Sequence, residues 1–174
     1  MATNKNSSIR NPGEQEFVIE RGFEAPRQLV WEAWTKPEAL QHWWGPKGFT
    51  WVDCKIDLRP EGMFHYSMRS PDGHDMWGKL IYREIVPPER LAFVVSFSDK
   101  DGNTLRHLAS PTWPLEVLNT MTLTEHEGRT TVTLQGVPIN ATEEECQTFK
   151  AGHKSLQQGI KGTLDQLADY LAKA

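Results

Sequence analysis

The feature that most constrains this chain is a one-sided apolar stripe at its C-terminal end. Cys146, Phe149, His153, Leu156, Ile160, Leu164, Leu167 and Leu171 follow one another at steps of three and four, the spacing of a helix with one buried face. Thr142 and Glu145 have the spacing of a capping box, and Glu143-Glu144-Glu145 favours the positive end of a helix. The helix is expected to run unbroken over 142–173, roughly 45 Å at 1.5 Å per residue. Such a helix needs a broad apolar surface to lie against. Gly152 and Gly159 sit at the edge of the stripe, and each costs about 1 kcal/mol relative to alanine inside a helix. The space beside them is therefore used, either by close packing or by a cavity.

The partner surface is a sheet. Phe17, Ile19 and Phe23 suit a first strand, and Val52, Cys54, Ile56 and Leu58 alternate with charged residues in a second. Phe64, Tyr66 and Met68 share one face of a third, which leaves His65 and Ser67 on the solvated side. Ser70-Pro71-Asp72-Gly73 signals a hairpin into a fourth strand over 77–86, whose parity is ambiguous. Leu91, Phe93, Val95 and Phe97 form a fifth, Val117, Asn119, Met121 and Leu123 a sixth, and 130–134 a seventh. The irregular stretch 99–116 has the length of a lid or binding loop.

Between the first two strands lie two short helices. Ala25-Pro26 opens one, with Leu29, Val30, Ala33 and Trp34 at helical spacing. Pro37 ends it and starts another, in which Ala39, Leu40, Trp43 and Trp44 form a stripe before the breaker Gly45-Pro46. Tryptophans in this position serve mainly to anchor helices to a sheet, with Trp44 placed to reach a pocket mouth.

With 174 residues, the chain fits one domain over 16–174, preceded by a disordered polar tail over 1–15. A net charge of −4 with no run of Lys or Arg argues against nucleic acid as a partner. No segment is apolar enough to be a signal peptide or a membrane span, so a cytoplasmic protein without membrane insertion is expected. Cys54 and Cys146 lack metal or redox spacing and read as free thiols. The six histidines are dispersed, and no zinc, P-loop, dinucleotide or nucleophile-elbow motif occurs. Neither a catalytic residue set nor a cofactor is expected.

The order of elements, and the phrases VWEAWTKPEALQHWWGP, DLRPEGMFHYSMRSPDG, GKLIYREIVPPERLAF and GTLDQLADYL, resemble the bacterial family related to the activator of heat-shock protein 90 ATPase. That family lies within the START-like, or SRPBCC, helix-grip superfamily. The resemblance covers about residues 16–172 and implies an α+β helix-grip fold. In that fold a seven-stranded antiparallel sheet wraps a long C-terminal helix, with two short helices after the first strand. It also implies carriers, lipid-binding domains and some cyclases among the relatives. A smaller residue stands at Ile160, after Gly159, where relatives often carry an aromatic one, a departure that implies either a larger pocket or an altered specificity. The eukaryotic co-chaperone acts largely through a separate N-terminal domain, for which this chain has only the polar tail.

These features predict a protein that binds a small apolar or amphipathic ligand between sheet and helix. Tyr66, Met68, Phe93, Phe97 and Met121 would face Phe149, His153 and Leu156, with Asn119 turned inward and Trp44 at the mouth. A cyclase, dehydratase or hydrolase using polar groups in that cavity is the first alternative. A co-chaperone or stress-response interaction module is the second. Homodimerisation is left open.

Overall fold

A computed structural model describes residues 16–174; the tail expected over 1–15 lies outside them. The chain begins with β1 (Phe17–Phe23), α1 (Arg27–Thr35) and α2 (Pro37–Trp43). The sheet continues through β2 (Thr50–Ile56), β3 (Met63–Arg69), β4 (Asp75–Val86) and β5 (Arg90–Ser98). The two-residue β6 (Thr104–Leu105) precedes β7 (Val117–His126) and β8 (Arg129–Pro138). Two helices, α3 (Glu143–Ala151) and α4 (His153–Lys173), close the chain.

Seven strands pair antiparallel in the order β1-β8-β7-β5-β4-β3-β2, and β6 adds to the side of β5. This is the expected helix-grip arrangement with one short extra strand. The register settles the ambiguous parity of β4. Gly78, Leu80 and Tyr82 oppose Tyr66, Phe64 and the Phe93 row, so they belong to the inner face. That face and the buried sides of α1, α2 and α4 form the main core, which includes Trp34, Trp43, Phe64, Tyr82, Leu164 and Leu167.

Three local expectations fail for identifiable reasons. A bulge between Trp51 and Asp53 shifts the register of β2 against β3. Trp51 therefore packs against the core, while Val52 is 45% exposed; an extra residue flips the side-chain alternation. Ser67 is fully buried and His65 is half-buried, not solvated. The His65 ring stacks on Trp77 at 4.8 Å, and its Nε2 lies 3.1 Å from the Ser98 hydroxyl. Longer outer-face side chains and the 99–116 segment cover the convex side here, so the opposite face is not solvent.

The closing helix is also not continuous. Its capping box forms, with the Thr142 side chain accepting from the Glu145 amide and Glu145 accepting from the Thr142 amide. At Gly152, however, the backbone leaves helical geometry, with φ −90° and ψ 3°. A side chain there would meet Trp113 Cζ3 at 3.0 Å. The break is where the 99–116 segment presses on the helix. Gly159, in contrast, stays inside α4 with open space beside it.

Candidate functional site

Of the ten residues read as candidate ligand contacts, seven fall into two apolar groups. Tyr66, Met68, Phe93 and Met121 are buried in the main core, with Trp44 half-buried against it. Phe149 is buried in a smaller cluster with Phe17 and Val117, against which Leu156, Ile160 and Trp113 pack. Ile19 and Ile160 touch both clusters. Phe97 and Asn119 belong to neither, and both are half-buried.

The sheet register explains this division. Along β7, Asn119 stands between Met121 of the main core and Val117 of the smaller cluster. Its strand partners are Phe93 and Gly136. One inner row further along, Val95 pairs with Val117, and in the row beyond that Phe97 pairs with Gly78. A band of half-buried or side-chain-free positions thus crosses the inner face. Asn119 itself donates to the Val117 carbonyl at 3.3 Å.

The helix stripe is unevenly buried. Phe149, Leu164, Leu167 and Leu171 are buried, but His153, Leu156 and Ile160 between them are only half-buried. Both ends of the stripe are seated while its middle keeps apolar surface accessible. The His153 ring lies edge-on to Phe149 and Phe17, with centroids 5.1 and 5.8 Å away. Its Nε2 is buried and has no hydrogen-bond partner among the described residues.

The aromatic wall on the other side is held by backbone contacts. Trp44 caps the end of α2, and its carbonyl accepts from Trp51 Nε1 at 3.0 Å. Its ring meets Tyr66 nearly perpendicularly at 6.1 Å. Burial pushes the Tyr66 hydroxyl above its usual range, and the neighbouring Trp44 side chain partly opposes that rise. The turn after Trp44 is gripped by α4. Gln166 Nε2 donates to the carbonyls of Trp43 and Gly45 at 3.0 and 2.8 Å, and Thr163 donates to Gly45 at 3.1 Å.

Sequence reasoning missed Trp51 and Trp113 as wall candidates, and it read Ile160 only through its effect on the size of the pocket. Trp51 was hidden by the bulge. Trp113 lies in an irregular stretch with no periodicity, and only its bulk marked it. That stretch is fastened to α3, where Arg106 pairs with the buried Glu145 and Thr112 Oγ1 lies 2.8 Å from Thr148 Oγ1. The Trp113 ring then packs on Phe149 with centroids 5.3 Å apart. Farther along, the His107 ring stands edge-on to Phe97 at 4.8 Å.

A separate cleft of about 460 Å³ opens at the start of α1 and the adjoining ends of β4, β5 and β7, lined by residues that include Arg27, Glu89, Arg90 and Glu125. It contains none of the ten candidates. Among the described residues, no three His, Cys, Asp or Glu side chains gather as a metal-binding group, and no helix is long and apolar enough to cross a membrane.

A family model described as Activator of Hsp90 ATPase homolog 1-like protein matches residues 24–172. Among solved structures, a Mycobacterium smegmatis protein is 26% identical, with a TM-score of 0.75 over 92% of this chain and 93% of its own. A protein from Arthrobacter aurescens, solved by NMR, has 24% identity and a TM-score of 0.76 over 95% of this chain and 90% of its own. One from Nitrosomonas europaea has 23% identity and a TM-score of 0.72 over 92% of this chain and 96% of its own. The last two likenesses concern the fold alone. No curated protein matches the sequence.

Proposed function

The chain belongs to the Activator of Hsp90 ATPase homolog 1-like family, and we propose that it is a binding protein for a small apolar or amphipathic molecule. The ligand lies between the inner face of the sheet and the first half of α4. One observation carries this reading. His153, Leu156 and Ile160 are only half-buried, and so are Val95, Phe97 and Asn119 on the sheet, although all lie on the apolar sides of their elements. Apolar side chains left accessible on two facing surfaces favour an occupant, because closing such a gap stabilises the fold by roughly 25 cal/mol per Å².

Catalysis is the weaker alternative, since Tyr66 and His153 belong to different clusters and do not converge. An interaction module needs a contiguous exposed apolar patch. The exposed large apolar residues Val18, Val52, Leu58, Val86, Leu105 and Leu108 are instead spread over opposite sheet edges and separate turns.

Native mass spectrometry of freshly purified protein is the first test, and release of a small molecule on activation is expected. Leu156→Trp should weaken retention of that molecule while circular dichroism stays unchanged. A Leu156→Trp chain that folds and retains the molecule as the wild type does would refute this location.

A further inference from the structure

Apart from the site between sheet and helix, we infer that the cleft at the start of α1 binds a small zwitterion, a carboxylate and an ammonium joined by a short hydrocarbon chain. Arg27 holds the carboxylate, and Glu89 and Glu125 hold the ammonium.

Arg27 is the first residue of α1 and lines this cleft of about 460 Å³. Its Nε is buried and has no hydrogen-bond partner among the described residues. No carboxylate lies within 4.0 Å of its guanidinium among them either. A buried N–H without an acceptor is rare and costly, and an acceptor entering the cleft removes that cost. A guanidinium presents its donors as a fork that fits a carboxylate. The first turn of α1 carries no acidic residue and no side-chain cap, so the positive end of the helix also favours an anion there.

Glu89 and Glu125 line the same cleft, and neither forms an ion pair among the described residues. The backbone fixes their elements together. The Leu123 amide donates to the Glu89 carbonyl at 2.8 Å, which ties the turn before β5 to β7, two residues from Glu125. The remaining charged wall residue, Arg90, is engaged with Glu84 at 2.8 Å. One guanidinium and two carboxylates therefore stand unpaired around one cleft.

This charge pattern selects the class of ligand. A simple anion would meet both carboxylates, and a simple cation would meet both arginines; like charges set together oppose binding. A molecule with one charge of each sign satisfies both sets. Val86, 38% exposed, and Leu123 give the cleft apolar surface for the carbons between the two charges.

NMR titration of the full chain with γ-aminobutyrate, δ-aminovalerate and ε-aminocaproate tests this, with caproate and hexylammonium as controls of one charge. At least one amino acid should bind about tenfold tighter than either control and should move the Arg27 Nε–H signal. Arg27→Lys keeps the charge but loses the fork, and should weaken the best amino acid about tenfold. Glu125→Gln, at an exposed position, should weaken that amino acid and tighten caproate. Opposite signs for two probes do not arise from a mere loss of structure. A best amino acid that binds no tighter than both controls overturns the zwitterion assignment. Binding that neither variant alters overturns the cleft as its location. The cleft shares no residue with the ten candidate contacts, so either failure leaves the ligand site between sheet and α4 standing.

Discussion

The Trp113 ring lies across Gly152, so close that a β-carbon there would stand 3.0 Å from Cζ3. This contact joins the irregular 99–116 segment to the point where the closing helix breaks, and it separates the roles of two glycines that look alike in sequence. Gly159→Ala adds a methyl group in open space within a helix and should stabilise the protein by about 1 kcal/mol, a melting temperature roughly 2–4 °C higher for a chain of this size. Gly152→Ala presses on a ring already packed against Phe149 and should destabilise by about 1 kcal/mol. Thermal melts of the two variants check both signs.

Gln166 gives a second prediction. Its amide satisfies the carbonyls of Trp43 and Gly45, which ties α4 to the turn that positions Trp44. Gln166→Ala leaves the Trp43 carbonyl without that partner and should cost about 1–2 kcal/mol. Gln166→Glu should cost at least as much at neutral pH, since a carboxylate cannot donate to a carbonyl. Urea denaturation measures both.

Acid should loosen the clasp between the first strand and the last helix. Arg21 Nη1 lies 2.6 Å from Asp165 Oδ1. The Arg21 hydrogen bond chiefly holds the Asp165 carboxyl below its usual range. Glu145 is lowered too, first by the Thr142 amide and then by Arg106. A folded pKa below the unfolded one means stability fully present above the unfolded value, near pH 4, and lost as pH falls through the folded value. Stability should therefore be flat with respect to these groups at neutral pH and decline below about pH 4. Arg21→Met should make that decline shallower in melts recorded from pH 7 to pH 3.

Cys54 and Cys146 are both free thiols, and titration of the unfolded, unreduced chain should count two. Burial, with the Asp53 carboxylate as a lesser cause, raises the Cys54 thiol above its usual range. In the folded protein Cys54 should therefore alkylate more slowly than a model thiol at pH 8, because the thiolate is the reactive form. Peptide mapping after timed alkylation gives the rate. Asp53→Asn should increase it modestly.

Much of this architecture was legible in the residues themselves. The stripe from Phe149 to Leu171 sets a helix with one buried face, and the alternation in β5 and β7 sets strands with one apolar side. Thr142 and Glu145 announced the helix start, and the capping box formed as their spacing required. These are local signals, carried by periods of 3.6 and 2.0 that depend on neighbours a few residues apart.

What tertiary structure alone decided involves partners far apart in the chain. The bulge at Trp51 depends on pairing with β3, so a strict alternation placed Val52 inside and Trp51 outside. The helix breaks at Gly152, not at Gly159, because Trp113, some forty residues earlier, happens to lie there. Ser67 is buried because its neighbours cover the convex face, and no property of Ser67 itself says so. The candidate site shows the same limit. Tyr66 and Phe149 could both be read as facing inward, but only the register, with Asn119 between Met121 and Val117, divides them between two apolar clusters. Side-chain direction is a local property, whereas the width of a gap between two elements is set by everything that holds them apart.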